Sequence, residues 1–272
     1  MNPLFSIVIA NYNHGIFLER AILSILNQNC TDYEIILVDG GSTDNSLDII
    51  KNYSHYFFWW VSEKDKGQSN AFNKGFSHSR GRFFLWLNAD DILLPNTLFK
   101  AKHYLTKHSS CVWLTGNTIT IDVNDRIREC KRGPVWIKFL VQHGHVYVYG
   151  PTTIFHHKLL KEVGGFNENL HYTMDYDLWF KFINKGYKFH RINHYCWAFR
   201  IHNLSKTSHS FFGKVSIEYS NEREQVLKDN NRIIYKYVRY FHILLKMISG
   251  CYILSLIDTE KYKNKSIHIF RK

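Results

Sequence analysis

Two adjacent carboxylates, Asp90 and Asp91, end the apolar run of the stretch FLWLNADDILL. An unpaired charge in a dry site is costly, so such residues are normally solvated, hydrogen-bonded or bound to a metal ion. Paired carboxylates at a strand end suit Mg²⁺ or Mn²⁺, which take oxygen ligands and share their coordination with phosphate groups. Alternatively, one of the two acids caps the helix that contains Pro95, and the motif alone does not separate these interpretations.

Polar residues also follow three other apolar runs that we predict to be strands. Asn11 follows FSIVIA, Asp39 follows EIILV, and residues 65–70 follow FFWWV. Segments with helical spacing separate these runs, and such alternation predicts βαβ units in an α/β fold with a mostly parallel sheet. Right-handed crossovers bring the carboxyl ends of parallel strands to one edge, where ligands bind. We therefore expect the four polar clusters to line one crevice.

The composition narrows the class of protein. The chain has 272 residues, of which 45% are hydrophobic, so it can form a packed core and does not resemble a disordered protein. Its five cysteines are scattered and include no C-x-x-C pair, which argues against a disulfide framework or a zinc ribbon and favours a reducing cytoplasmic compartment. The N-terminal stretch MNPLFSIVIANYN indicates a first strand rather than a signal peptide.

Positive charge is concentrated in the last quarter of the chain. The net charge is +12, and residues 200–272 contain 14 Lys and Arg against 6 Asp and Glu, an excess of 8. Residues 211–272 are predicted to form a basic, amphipathic helical tail. Charged residues within its apolar stretch argue against a membrane-spanning helix. Two alternatives remain: the tail binds an anionic membrane surface, or it packs on the preceding domain. No nucleic-acid-binding motif accompanies it, so we expect no nucleic-acid partner.

Seven stretches occur in an order that resembles inverting family-2 glycosyltransferases with the GT-A fold. They are SIVIANYN, EIILVDGGSTDNS, EKDKGQSNAFNKG, FLWLNADD, VGGF, MDYDLWFKF and RIHNLS. Together they cover roughly residues 5–205. The resemblance implies a Rossmann-like GT-A domain over residues 1–210, with helices flanking a mostly parallel sheet. Its nucleotide-sugar half would span about residues 1–100 and its acceptor half about residues 101–210, before the helical tail.

The resemblance implies donor-binding roles for particular residues. Asn11 and Tyr12 would line the pocket for the base and ribose of a nucleotide-sugar, and Asp39 would accept a hydrogen bond from the base or ribose. The further donor contacts that it implies are Asp65, Gln68, Asn73, Asn88 and Asp90. Three positions depart from the family pattern: Asn88 stands where many relatives have Asp, Ala10 where Thr is frequent, and Met174 where an acidic residue often precedes the family's general base.

The resemblance also implies a metal site and a general base. Asp90, Asp91 and His202 would hold a divalent cation, Mn²⁺ or Mg²⁺, and Asp175 would deprotonate the acceptor hydroxyl. The implied donor is a nucleoside-diphosphate sugar, with a UDP-sugar as the leading candidate. The acceptor would be a glycan or a lipid-linked molecule in the assembly of a cell-surface polysaccharide, such as O-antigen or capsule. We expect the protein to be cytoplasmic, with peripheral attachment to the membrane as one possibility.

Two other functions are alternatives to glycosyl transfer. A metal-dependent nucleotidyltransferase needs a triphosphate loop rich in Gly, Lys and Arg near the N-terminus, and ANYNHG lacks one. A non-catalytic nucleotide-sugar or RNA-binding module would use the basic tail, but it would have no need of Asp175 and His202.

Overall fold

The computed structural model describes residues 2–146, 148–203, 205, 216–248 and 250–271. Residues 211–215 of the predicted tail therefore lie outside the described residues. The strands are β1 (Phe5–Asn11), β2 (Tyr33–Asp39), β3 (Trp59–Ser62), β4 (Phe83–Asn88), β5 (Ile92–Leu93), β6 (Trp113–Ile121), β7 (Ile127–Lys131), β8 (Ile154–His156) and β9 (His190–Arg200).

The helices confirm the predicted alternation in the first half of the chain. They are α1 (Gly15–Leu26), α2 (Ser46–Tyr53), α3 (Gln68–Ser77), α4 (Thr97–Lys107), α5 (Lys138–Gln142), α6 (His157–Glu162), α7 (Met174–Asn184), α8 (Ile217–Asp229), α9 (Lys236–Ile248) and α10 (Cys251–Tyr262). Short 3₁₀ turns lie at Ser54–Tyr56, Gly150–Thr152 and Ile267–Arg271. The expected α/β fold, a sheet flanked by helices with a helical C-terminal part, is confirmed.

Within the described residues, the strands form one sheet in the order β3-β2-β1-β4-β8-β6-β9-β5, with β7 paired to β6. The block from β3 to β4 is parallel, as predicted. Beyond β4 the sheet is mixed, because β8 runs antiparallel to both β4 and β6, whereas β9 runs parallel to β6. The register places Asn11 beside Asp39, so the carboxyl ends of β1 and β2 meet at one edge.

Both faces of the parallel block are buried, which explains why its strands are continuously apolar. Along β1, Ile7 and Ile9 join a cluster with residues of α1, whereas Val8 points to the opposite face and joins Phe72 of α3. Successive side chains of a strand alternate between faces, so one short run of residues builds both layers of the core. This two-sided burial fixes the loops after the strands, where the polar residues lie.

The described parts of the tail pack on the domain through α8 and α10. On α10, the hydroxyls of Ser255 and Thr259 accept hydrogen bonds from the backbone N–H groups of Arg132 and Cys130, next to and within β7. The backbone of Ile127, at the start of β7, also exchanges hydrogen bonds with Asn264 and Lys265. The tail therefore pairs with the edge of β7 that faces away from β6.

The surface of α9 and α10 is rich in exposed apolar side chains. They are Tyr237, Tyr240, Phe241, Ile243, Leu244 and Met247 on α9, and Tyr252, Ile253, Leu254, Leu256 and Ile257 on α10. Among the described residues, no helix combines the length and the apolarity needed to cross a membrane. A large exposed apolar patch usually marks a surface that binds a partner or a membrane.

Candidate active site

A cavity of about 1090 Å³ opens at the carboxyl ends of β1 and β4 and extends towards β6, α7 and α8. At one end it is lined by Asn11, Tyr12, Asn13, His14, Gly40, Asp65, Gly67, Gln68, Asn88 and Asp90. At the other end it is lined by Thr118, Thr120, Lys131, Tyr149, Gly150, Pro151, His171, Tyr172, Asp175, Trp197, Phe199 and Tyr219. The structure therefore brings most of the predicted site residues to one cavity.

Asp90 and His202 form a buried pair in the structure. The Oδ2 atom of Asp90 lies 2.9 Å from Nε2 of His202, and both residues are less than a tenth exposed. His14, at the start of α1, completes a cluster in which one ligand atom from each residue lies within 4.8 Å of the others. The His202 ring packs against Phe17, with ring centroids 4.9 Å apart. A carboxylate and two imidazoles make a donor set that fits a divalent transition-metal ion.

Asp91 occupies a different environment from Asp90. It is 1% exposed, its Oδ1 accepts the backbone N–H of Arg200 at 3.0 Å, and its Oδ2 accepts Nδ2 of Asn88 at 2.8 Å. Burial, and then the neighbouring charge of Asp90, raise the pKa of Asp91 well above its ordinary value. Both carboxylate oxygens of Asp91 therefore already accept hydrogen bonds from the protein, and the cluster of His14, Asp90 and His202 does not include Asp91.

The two acids do not cap a helix. After Asp91 the chain forms β5, and α4 begins only at Thr97 with Asn96 before it. Buried Arg200 holds this turn instead: its Nε donates to the carbonyl of Asp90, and its guanidinium pairs with Asp125. The capping alternative is wrong because the two carboxylates face His202 and β9 rather than free helix N–H groups.

Asn88 and Gln68 join β4 to the N-terminus of α3. The Nε2 atom of Gln68 donates to Oδ1 of Asn88 at 2.6 Å, and both side chains line the cavity. Asp65 lines the cavity as well, and its Oδ1 accepts the backbone N–H of Gly67 at 2.8 Å. Gly67 has φ of +108°, a conformation that favours glycine, so this turn depends on it. These three polar side chains line the same cavity as Asp90.

Asp39 is completely buried, and both of its oxygens accept hydrogen bonds from the protein. Oδ1 accepts Nδ2 of Asn11, and Oδ2 accepts the backbone N–H of Ser42 and the hydroxyl of Ser62. Neighbouring Gly40, rather than Asp39, lines the cavity. The Asp39 side chain thus shapes the loop after β2 and orients Asn11 from behind.

Tyr12 and Asn73 lie in contrasting positions. Tyr12 is 60% exposed and lines the cavity. Asn73 lies in α3 outside the residues that line the cavity, and its amide exchanges two hydrogen bonds with the backbone of Phe166 and donates a third to Glu168. Asn73 therefore ties α3 to the loop before α7, and its side chain is already occupied by protein partners.

Asp175 lies at the start of α7, where it lines the cavity. Its Oδ1 accepts the backbone N–H of Tyr176 at 2.7 Å. Gly150 lies so close that a Cβ there would sit 3.3 Å from the Asp175 carboxylate and 2.7 Å from the Trp86 ring. Burial raises the pKa of Asp175 to about 6, despite the backbone hydrogen bonds that oppose the rise. A carboxylate with this pKa is a competent proton acceptor near neutral pH.

Helix α8 holds the loop that leads into α7. The Glu222 carboxylate accepts the backbone N–H groups of His171, Tyr172 and Thr173 and the Thr173 hydroxyl, at 2.6–2.9 Å. Burial alone raises the pKa of Glu222, but these donors outweigh it and lower the pKa below its ordinary value. Tyr219, one turn earlier on α8, lines the cavity. The tail therefore supplies part of the wall beside Asp175.

The match to known proteins agrees with this geometry. The sequence profile of "Glycosyl transferase family 2" matches residues 6–164. The chain belongs to glycosyl transferase family 2. An uncharacterized glycosyltransferase of Rickettsia typhi is 31% identical over 189 residues, which is 67% of this chain and 59% of that protein. The chondroitin synthase of Escherichia coli is 28% identical over 88% of this chain and 34% of its own length. The chain thus spans about three fifths of the first relative and a third of the second.

Solved structures confirm the GT-A fold. The fold resembles S. aureus TarS 1-349 in complex with UDP-GlcNAc at a TM-score of 0.61 and 18% identity, over 85% of this chain and 71% of that one. It also resembles the mannosyltransferase PcManGT from Pyrobaculum calidifontis, in complex with GDP-Man and Mn²⁺, at a TM-score of 0.59 and 17% identity. That match covers 78% of this chain and 60% of the mannosyltransferase.

Three residues that the sequence analysis did not single out have important positions in the family 2 site. His14 joins the cluster with Asp90 and His202, Arg200 holds the turn that carries both acids, and Glu222 holds the loop before Asp175. His14 directly follows the polar end of β1, so its place in the sequence was a usable signal. For Arg200 and Glu222, the informative contacts join residues roughly 50 to 110 positions apart, which no local pattern reveals.

Proposed function

We propose that the protein is an inverting, metal-dependent glycosyltransferase that moves a sugar from a nucleoside-diphosphate sugar to a hydroxyl group. One observation carries the proposal: a single cavity is lined at one end by Asp90, which contacts buried His202, and at the other end by Asp175, whose pKa is raised. This arrangement suits a leaving diphosphate at the first end and an acceptor hydroxyl at the second. The family and the fold support the same assignment.

The proposed reaction is a single displacement. Asp175 takes the proton of the acceptor hydroxyl as its oxygen bonds to the anomeric carbon, and the bond from that carbon to the diphosphate oxygen breaks. The bonding electron pair leaves with the diphosphate. The anomeric configuration inverts because the acceptor oxygen attacks the face of the sugar opposite the diphosphate. A divalent cation held by Asp90 and His202 would neutralise the charge of the diphosphate. Asp91 and Arg200 would keep Asp90 in place.

For the donor, we propose contacts from Asn11, Tyr12, Asp65, Gln68 and Asn88, which line one end of the cavity. Asp39 and Asn73 act indirectly in this proposal, because their side chains are bonded to neighbouring loops. A UDP-sugar remains the leading candidate, supported by the UDP-GlcNAc complex of TarS, while the GDP-Man complex of PcManGT makes a GDP-sugar the second.

For the acceptor, we propose a saccharide or a saccharide on a lipid, in the assembly of a cell-surface polysaccharide such as O-antigen or capsule. Aromatic side chains line the same cavity as Asp175, among them Tyr149, Tyr172 and Tyr219. Rings with polar tips pack on sugars through their faces and donate hydrogen bonds from their edges. The match to chondroitin synthase supports a polysaccharide pathway.

The test begins with ligand binding. Thermal unfolding is measured with a panel of nucleotides and nucleotide-sugars, first with Mn²⁺ and then with a chelator. A ligand at 100 times its dissociation constant stabilises the folded state by about 2.7 kcal/mol, which is easily detected. The best donor then enters a turnover assay that follows release of the nucleoside diphosphate. Binding without turnover, with any acceptor saccharide tested, would favour a non-catalytic nucleotide-sugar module instead.

We also propose that the protein attaches peripherally to the cytoplasmic face of a membrane through α9 and α10. The exposed apolar side chains of these helices and the basic excess of residues 200–272 together suit an anionic lipid surface. Contacts of α10 with β7 leave this apolar face outward.

Vesicle sedimentation tests the attachment. The protein should co-sediment at low salt with vesicles that contain phosphatidylserine, and the double variant Ile253→Glu/Ile257→Glu should stay in the supernatant. Phe99→Glu is the matched control, since Phe99 is similarly exposed on α4. If the wild-type protein stays in the supernatant, or if Phe99→Glu releases it equally, the proposed attachment is wrong.

A further inference from the structure

We infer that His14 is the third protein ligand of the metal site, and that the site therefore selects a transition-metal cation such as Mn²⁺ over Mg²⁺. The inference rests on the proposed function only in placing a cation next to the donor diphosphate. His14 lies outside the acidic motif NADD of residues 88–91 and in a different loop from His202.

The first argument is geometric. Metal bonds of ~2.1 Å place adjacent ligand atoms ~3 Å apart around an octahedral ion, which matches the 2.9 Å between Asp90 Oδ2 and His202 Nε2. A ring nitrogen of His14 lies within 4.8 Å of both other ligand atoms. The two imidazole rings are perpendicular, with centroids 5.4 Å apart. The three side chains thus each bring a ligand atom to one small cluster.

The second argument is that the fold holds His14 in this place. The His14 carbonyl accepts the first backbone N–H groups of α1, from Phe17 and Leu18. Asn13, just before it, has a left-handed backbone at φ of +53° and is tied to Ser42 and Thr43 in the loop after β2. The same helix carries Phe17, which packs on the His202 ring. A ligand positioned by its backbone loses little freedom when it binds a metal.

The third argument concerns the chemistry of the donor set. Imidazole nitrogens suit first-row transition metals, with affinity rising from Mn²⁺ to Co²⁺ and Zn²⁺, whereas Mg²⁺ prefers oxygen ligands and keeps several waters. Of the cations in this series, Mn²⁺ is the one that also accepts carboxylate and phosphate oxygens readily. A site built from Asp90 and Asp91 alone would be an oxygen site with no such preference. The oxygens of Asp91 accept buried hydrogen bonds from Arg200 and Asn88, whereas His14 and Asp90 line the cavity and Asp90 contacts buried His202.

The test measures metal binding directly. Mn²⁺ alone is titrated into the full chain, free Mn²⁺ is followed by electron paramagnetic resonance, and Mg²⁺ is used as competitor, with and without UDP or GDP. His14→Ala should weaken Mn²⁺ binding about tenfold or more, since even the loss of an outer-shell partner costs 10- to 100-fold. The same change should also reduce the ratio between the dissociation constants for Mg²⁺ and Mn²⁺. His202→Ala should act similarly.

His103→Ala is the matched control, because His103 is exposed on α4, and it should bind Mn²⁺ like the wild type. Thermal unfolding with chelator shows whether each variant is folded. The inference is overturned if folded His14→Ala binds Mn²⁺ as tightly as the wild type. It is also overturned if the wild type binds Mg²⁺ equally well, or binds no Mn²⁺ under any of these conditions. Wild-type turnover tests the transferase separately, so either proposal can fail alone.

Discussion

The donor and acceptor ends of the cavity are built in different ways. Consecutive βα units form the donor end, and each strand from β1 to β4 delivers its polar residues directly after its last apolar residue. The acceptor end combines side chains from β6, β9, the 3₁₀ turn at Gly150–Thr152, the start of α7 and the tail helix α8. The residues that line the donor end thus come from successive units of the first 90 residues, with His202 added from after β9, whereas those that line the acceptor end come from segments between Thr118 and Tyr219.

Because of this difference, we expect the two ends of the cavity to control different steps, donor binding at one end and the transfer reaction at the other. Buried groups such as Asp39 shape the donor end from behind and fix loops of the parallel block, which the core already holds rigid. The position of Asp175 depends on contacts between distant segments, including Glu222. We therefore expect substitutions at the donor end to change donor affinity and those at the acceptor end to change turnover.

The largest effect is expected for Asp175→Asn. Loss of a general base costs about 10²–10⁴-fold in turnover, whereas the dissociation constant of the donor should hardly change. In the wild type, kcat/KM should fall as the pH drops below about 6, because Asp175 becomes protonated. Steady-state rates across pH and donor titration by calorimetry check both points. A donor affinity that falls in parallel with turnover would contradict the division between the two ends.

The same variant makes a prediction about stability. Because the folded-state pKa of Asp175 is raised, its contribution to stability is present below the unfolded pKa and lost as the pH rises through about 6. Asp175→Asn should therefore be more stable than the wild type at pH 8, by on the order of 1 kcal/mol, and the advantage should disappear near pH 4. Urea unfolding at both pH values measures the difference.

Glu222→Ala tests whether the tail acts on the acceptor end. Without the carboxylate, three backbone N–H groups before Asp175 lose their acceptor, so turnover should fall about 10- to 100-fold through misplacement of the base. Stability should drop by about 1–3 kcal/mol. Glu224→Ala is the control on the same helix, since Glu224 forms an exposed pair with Lys228. Equal effects of the two changes would refute the role of Glu222.

A smaller effect is expected for Tyr12→Ala at the donor end. Stacking of an aromatic ring on a base is worth about 1–3 kcal/mol, and the high exposure of Tyr12 favours the lower figure, so donor affinity should fall about fivefold. Turnover at saturating donor should be unchanged. Tyr56→Ala, an equally simple change at an exposed tyrosine outside the cavity, should alter neither quantity.

The smallest effect on catalysis is expected for Asn73→Ala. The change removes hydrogen bonds to Phe166 and Glu168, so the free energy of unfolding should fall by about 1–2 kcal/mol. Donor affinity and turnover should change less than twofold. A strong loss of donor affinity in a stable variant would restore Asn73 to the donor-binding residues.

The sequence predicted the parallel block well because its signals are local. Apolar runs, helical spacing and polar residues at strand ends were sufficient to place Asn11, Asp65, Gln68, Asn88 and Asp90 at one cavity. The sequence could not show that the side chains of Asp39 and Asn73 hydrogen-bond to neighbouring loops instead of lining the cavity. A buried and an exposed polar residue look alike in a sequence. Neither was the order of β6, β8 and β9, because it depends on pairing across long separations.

The contact between the tail and β7 has a consequence for solubility. An uncovered strand edge offers unpaired N–H and C=O groups to other chains and promotes aggregation. Here Ser255, Thr259 and the backbone at Asn264 and Lys265 cover that edge of β7. A chain shortened at residue 210, the predicted domain boundary, should therefore self-associate through β7 even if its active site is formed. The tail helices thus keep the protein from aggregating through this strand edge.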